Sequence, residues 1–244
     1  MRLAFTALLA ALLLAFVACD DEAAEPTPSP TPDFEEVAAG LVPDVPLTLT
    51  DLPAGFERST DTEDLIAQLG LSAECDIFDD AVVFPDAAAA ADGDGFEGGN
   101  GQLVLSFGAI YQTVAGAEAA VQNTRTLVDV CDDEFHDTVE QVAREEAARL
   151  GIDLGVFANI DVSIDELDLP VVGDSSVVYR LHVFVGVLGV GQTFTLDVQM
   201  LRQGRTVGVF TYAGFGGLNE GEEVTVGAAL LENATAVEVR LPAE

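Results

Sequence analysis

The chain has 244 residues with 9 Lys+Arg against 43 Asp+Glu, a formal net charge of −34, and each of those nine cations is an arginine. That balance excludes a nucleic-acid surface, whose affinity rests on basic side chains neutralising phosphates. An apolar content of 49% supports a real core and excludes wholesale disorder.

Met1-Arg2 makes a minimal positive start, and residues 3–17 are an apolar run broken by one Thr. A membrane span needs about 20 residues, so the run reads as the apolar part of an export signal. Ala15-Phe16-Val17-Ala18-Cys19 then resembles the lipobox of bacterial lipoproteins, with Phe16 standing where Leu is usual. The resemblance implies removal of residues 1–18, acylation of Cys19 and anchoring on the extracytoplasmic face of the cell membrane. The alternative is an ordinary secretory signal, or an uncleaved anchor, with Cys19 incidental. Residues 19–46 are expected to form a tether. They open on Asp20-Asp21-Glu22 and continue through Pro26-Thr27-Pro28-Ser29-Pro30-Thr31-Pro32, where alternating Pro favours an extended, semi-rigid spacer. With Cys19 assigned to lipid, Cys75 and Cys131 are an even pair in an oxidising compartment, expected to be bridged; two buried free thiols are the alternative.

The folded part is expected over 47–244, as a single α+β domain. Thr60-Asp61-Thr62-Glu63 is a capping-box pattern before Leu65, Ile66 and Leu69, with Gly70 as the stop. Residues 86–101, rich in Ala, Asp and Gly, read as a mobile loop. A strand follows at 103–111. Thr113 then caps a helix whose Val114, Ala117, Val121, Thr124, Val128 and Cys131 share one face. A second helix is expected at 134–150 and a strand at 156–164. Strands 176–187, 192–202 and 205–213 read as two successive hairpins. A two-residue turn at Gln203-Gly204 pairs Met200 with Val207, and a four-residue loop at 188–191 pairs Val183 with Leu196. A last helix at 222–236 precedes a short segment at 237–241. The pattern is an antiparallel β-sheet packed with helices.

That register gathers Arg180, His182, Phe184, Asp197, Phe210 and Tyr212 on one sheet face, with His182 directly opposite Asp197. They are candidates for a ligand pocket with an aromatic floor, against the plainer reading of a half-solvated sheet face. Gly173-Asp174-Ser175 resembles the nucleophile motif of GDS-type esterases, and Asp133-Glu134-Phe135-His136 supplies a D-x-x-H. Their chain order is reversed relative to that family, and Asp174-Ser175 suits a turn. Asp92, Asp94 and Glu97 have carboxylates suited to calcium, without the bidentate Glu of an EF-hand loop. No cofactor motif is present, so no cofactor or catalytic metal is expected and the chain reads as a non-enzyme. The charge points to cationic ligands or basic protein partners.

Residues 47–241 resemble the PknH-like extracellular domain of actinobacterial kinases and related lipoproteins. The carriers are the early helix before Cys75, the helix ending at Cys131, the Gly173-Asp174-Ser175 strand entry, the Arg202-Gln203-Gly204-Arg205 hairpin and the late helix. The resemblance implies a mixed α/β sandwich with a cleft, two disulfides and a ligand-sensing role. This chain departs from it in having one cysteine pair and no kinase domain. A membrane-anchored, non-catalytic ligand-binding or sensor-like domain is thus expected. An envelope protein-protein interaction module is the alternative, and a serine hydrolase a distant third.

Overall fold

The computed structural model describes residues 33–59, 75, 80–99, 101–149, 158–187 and 190–244. Cys19, the leader, the proline run and the helix expected after Thr60 lie outside the described residues. The fold begins before Leu47: the compact unit spans Asp33–Glu244, so 33–46 belongs to it rather than to a tether. Asp33 caps helix α1 (Phe34–Leu41), its carboxylate accepting from the Glu35 N–H. Ala38, Val42 and Val45 are buried. Proline and acid content hid an apolar set (Val37, Ala38, Leu41, Val42, Val45) spaced for one helical face. Val45 seats on Gly108 so closely that a Cβ there would lie 2.5 Å from the valine Cβ. Just beyond, the Leu47 N–H donates to Ser106 Oγ at 2.8 Å.

One antiparallel sheet holds β1 (Phe56–Ser59), β2 (Ala89–Asp92), β3 (Gly95–Gly98), β4 (Leu103–Ile110), β5 (Ala158–Glu166), β6 (Ser175–Val187), β7 (Val190–Gln203) and β8 (Thr206–Phe215). Their order is β1-β3-β4-β8-β7-β6-β5, with β2 also on β4. Residues 86–101 are therefore not a loop: β2 and β3 pair with successive stretches of the same β4 edge. Backbone ladders need no large side chains, and the small residues of β2 sit against the α1 layer while Phe96 is fully buried.

A short helix α2 (Asp80–Val83) precedes α3 (Val114–Arg149), and α4 (Glu220–Glu238) ends the fold. Thr113 caps α3 through its hydroxyl, which accepts from the Gly116 N–H at 3.0 Å. The two helices expected at 114–131 and 134–150 are one: Asp132-Asp133-Glu134 contains no Gly or Pro, and Asp in a helix costs only about 0.7 kcal/mol. Helix α3 covers one sheet face over Phe107, Val177, Tyr179, Met200 and Val209. Helix α4 covers the other over Val104, Leu201, Phe210 and Tyr212 through Val226, Leu230 and Ala234. The fold is α+β, as the strand and helix patterns imply.

Both hairpins differ from the expected register by two residues. Gly204, at φ +59, takes the first central position of the β7–β8 turn with Arg205 beside it, so Met200 faces Val209 rather than Val207. In β6–β7, Val183 faces Phe194 rather than Leu196. A two-residue slip leaves every side chain on its face, so matching apolar with apolar could not separate the two registers.

Cys75 and Cys131 form a disulfide with sulfurs 2.02 Å apart, packed with Phe135. On the same side of the sheet Tyr111 is buried, and its hydroxyl has no hydrogen-bond partner among the described residues. An unmet buried donor costs about 1–3 kcal/mol, so Tyr111→Phe is expected to raise the melting temperature. A lower melting temperature for that variant would mean the hydroxyl is satisfied.

Candidate functional site

On β6 the residues Arg180, His182 and Phe184 face the α4 side, as do Thr193, Thr195 and Asp197 on β7. The observed register sets Arg180 opposite Asp197 and His182 opposite Thr195, so the expected His182–Asp197 pair is not formed. Instead Arg180 donates from Nε to Asp197 Oδ1 at 2.7 Å and from Nη2 to Oδ2 at 2.5 Å. This is the bidentate geometry that makes arginine–carboxylate pairs strong. The Asp197 side chain is 0% exposed, whereas that of Arg180 is 32% exposed.

A second carboxyl group joins the pair. Asn219 caps α4 through its side-chain oxygen, which accepts from the Gly221 and Glu222 N–H groups. The first turn then carries Glu220, Glu222 and Glu223. Glu223 is buried, close enough to Asp197 for the two carboxyl groups to influence each other. Two carboxylate charges so close together disfavour each other, which favours the neutral form of Glu223. Burial pushes the Glu223 carboxyl up to about 7, the neighbouring Asp197 carboxylate adds to the rise, and Arg180 opposes it. Glu220, on the same turn, also raises it.

An unfolded Glu titrates near about 4.3. Between that value and 7 the folded state holds a proton that the unfolded state lacks. The stability from this group is therefore full below about 4.3 and lost as pH rises through about 7. The loss amounts to about 3–4 kcal/mol. Glu223→Gln keeps a donor without the titration, so the variant is expected to gain on the wild type in thermal melts between about pH 5 and pH 8. Parallel melting curves across that range would contradict a raised Glu223.

Arg180 and His182 open onto a groove of about 740 Å³, bounded by Thr193 and Thr195 on β7 and by the loop that leads through Gly216 and Gly217 to Glu220. The Gly216 N–H donates to the Thr193 carbonyl at 2.9 Å and ties that loop to β7. Phe184 is not among the lining residues but packs over one of them. Its ring lies over Gly191, where a Cβ would meet ring carbon Cζ at 2.5 Å, so only glycine fits beneath it.

Phe210 and Tyr212 do not join this groove. Both are fully buried under α4, and the Tyr212 hydroxyl donates to Glu222 Oε2 at 2.7 Å. Burial and the Glu222 contact push the Tyr212 hydroxyl well above the usual phenol range. An aromatic floor was expected because the cover provided by α4 cannot be read from strand alternation. Glu220 and Glu223 are hidden from the sequence for the same reason, although Asn219 with Glu222 three residues on is a visible helix-start signal.

The remaining motifs have local roles. Asp174 Oδ2 accepts from the Gly204 N–H at 2.8 Å, and Ser175 Oγ accepts from Arg202 Nε at 3.2 Å, so both brace the β7–β8 turn. His136 lies 4.0 Å from Asp132 on α3. Asp94 pairs with Arg58 at 2.5 Å, and among the described residues no group of three His, Cys, Asp or Glu side chains is arranged to hold a metal ion. A second cavity, about 70 Å³, lies between α3 and the sheet. The hydroxyl of Thr124 is already engaged by Ala120 O and Met200 Sδ and that of Tyr179 by Glu166 Oε2, and the lining is otherwise apolar. No helix among the described residues is long and apolar enough to cross a membrane.

No family model matches the chain, and no curated protein is significantly similar to it. Among solved structures it is similar to the extracellular domain of PknH from Mycobacterium tuberculosis, with a TM-score of 0.42 and 11% identity over 82% of this chain and 97% of that one. This is a weak likeness of fold, and it transfers neither ligand nor role.

Proposed function

We propose that the protein is a lipid-anchored, exported module whose folded unit binds a small ligand in the Arg180 groove without transforming it. One observation carries the reading: Arg180 lines an open polar groove while a fully buried carboxylate, Asp197, holds it from behind through two bonds. Buried charge is costly, and apolar residues in its place are often as stable or more so. Perturbed ionisable groups beside a cleft are where binding and chemistry concentrate. Export is supported by the leader-like residues 1–18 and by the Cys75–Cys131 disulfide, which suits an oxidising compartment.

Native mass spectrometry of the protein as exported by its host tests the reading. The expected result is a chain starting at Cys19 with the mass of a diacylglyceryl group, plus a reproducible small-molecule adduct that Glu220→Gln weakens. A chain that retains residues 1–18 would contradict the anchor. An adduct insensitive to the Glu220 and Arg180 variants would contradict the groove.

A further inference from the structure

We propose that the groove takes a zwitterionic ligand, an amino acid or short peptide, whose carboxylate meets Arg180 and whose ammonium meets Glu220. This rests on the reading of the groove as a ligand site and names the class of its ligand.

The guanidinium carries five N–H donors in a planar fork. Asp197 occupies the side edge, taking Nε–H and one N–H of Nη2. The end edge, formed by Nη1 and the remaining N–H of Nη2, has the two-pronged geometry that matches a carboxylate. Asp197 fixes the plane of that fork, so little conformational freedom is lost when a ligand arrives. Arg180 lines the groove and retains about a third of its side-chain exposure.

Charge selects what arrives. The chain carries −34, so a simple anion is repelled before it reaches Arg180. A simple cation would meet the Arg180 charge at the groove wall. Glu220 also lines the groove, and its charge adds to the stronger pull of Asp197 that keeps Arg180 protonated. A ligand with both charges satisfies each end and carries no net charge into the field. His182, Gln192, Thr193 and Thr195 supply further hydrogen-bonding groups along the walls. At Gly216 and Gly217 an added Cβ would meet nothing within 4 Å, so the backbone of that loop is open to a ligand.

Amide-shift NMR on the mature protein tests this with dialanine, the same dipeptide acetylated and amidated at its ends, and maltotriose as a neutral polyol. Dialanine is expected to shift the amides of His182, Thr193, Thr195 and Gly216, and the two other probes to leave them unmoved. Glu220→Gln, an exposed and structurally mild change, is expected to weaken dialanine at least about tenfold, as loss of a charge-assisted bond does. Arg180→Gln is expected to do the same where its spectrum elsewhere matches the wild type. Equal binding of a capped or neutral probe at those amides would overturn the zwitterion while leaving the groove as a ligand site. Failure of dialanine to move them would also overturn it, and the adduct seen by mass spectrometry then decides separately whether the groove reading stands.

Discussion

Asp197→Ala is expected to cost about 3–5 kcal/mol of stability. The carboxylate is fully enclosed, takes two bonds from Arg180 and lies close to the buried Glu223 carboxyl. Its removal leaves a half-buried guanidinium without its counter-charge. Urea melts give the loss directly. The double variant Arg180→Met, Asp197→Leu separates pairing from packing: it is expected to regain most of the stability, because apolar residues of similar volume replace a buried pair with little penalty. An Asp197→Ala variant as stable as the wild type would mean that the carboxylate is solvated rather than enclosed.

Opening the Cys75–Cys131 bond is expected to cost about 4 kcal/mol by loop entropy. The bond spans a sequence separation of 56 and ties Cys75 to the middle of α3, where Cys131 and Phe135 share a buried turn. For a chain of this size the loss corresponds to a fall in melting temperature of about 10 °C, measured by calorimetry with and without reductant. The Cys75→Ser, Cys131→Ser variant is expected to match the reduced protein. Melting unaffected by reductant would contradict a structural role for the bridge.

The sheet was legible in the sequence because alternation reports which face a strand residue takes. Even residues of β6 and odd residues of β7 stand where alternation puts them. Pairing is weaker information: Asp197 meets Arg180 rather than His182, and a slip of two residues changes partners without changing faces. The helix face that carries Cys131 was legible from its spacing, whereas the continuity of α3 was not, since acidic residues at 132–134 look like punctuation and are only weakly unfavourable. Tertiary cover was the hidden part. Nothing local to β8 says that α4 seals Phe210 and Tyr212, and nothing local to α4 says that Glu223 finds Asp197. The core role of 33–46 was concealed by its acidic, proline-rich neighbours.

The central claim is that a buried carboxylate clamps Arg180 so that one edge of its fork is presented to the groove. Nitrogen-15 NMR of the arginine side chains tests it most directly. The expected result is a slowly exchanging Arg180 Nε–H that is lost in Asp197→Ala, beside Nη1 protons that exchange with solvent. An Arg180 Nε–H exchanging as fast as those of the exposed Arg58 and Arg144 would contradict it.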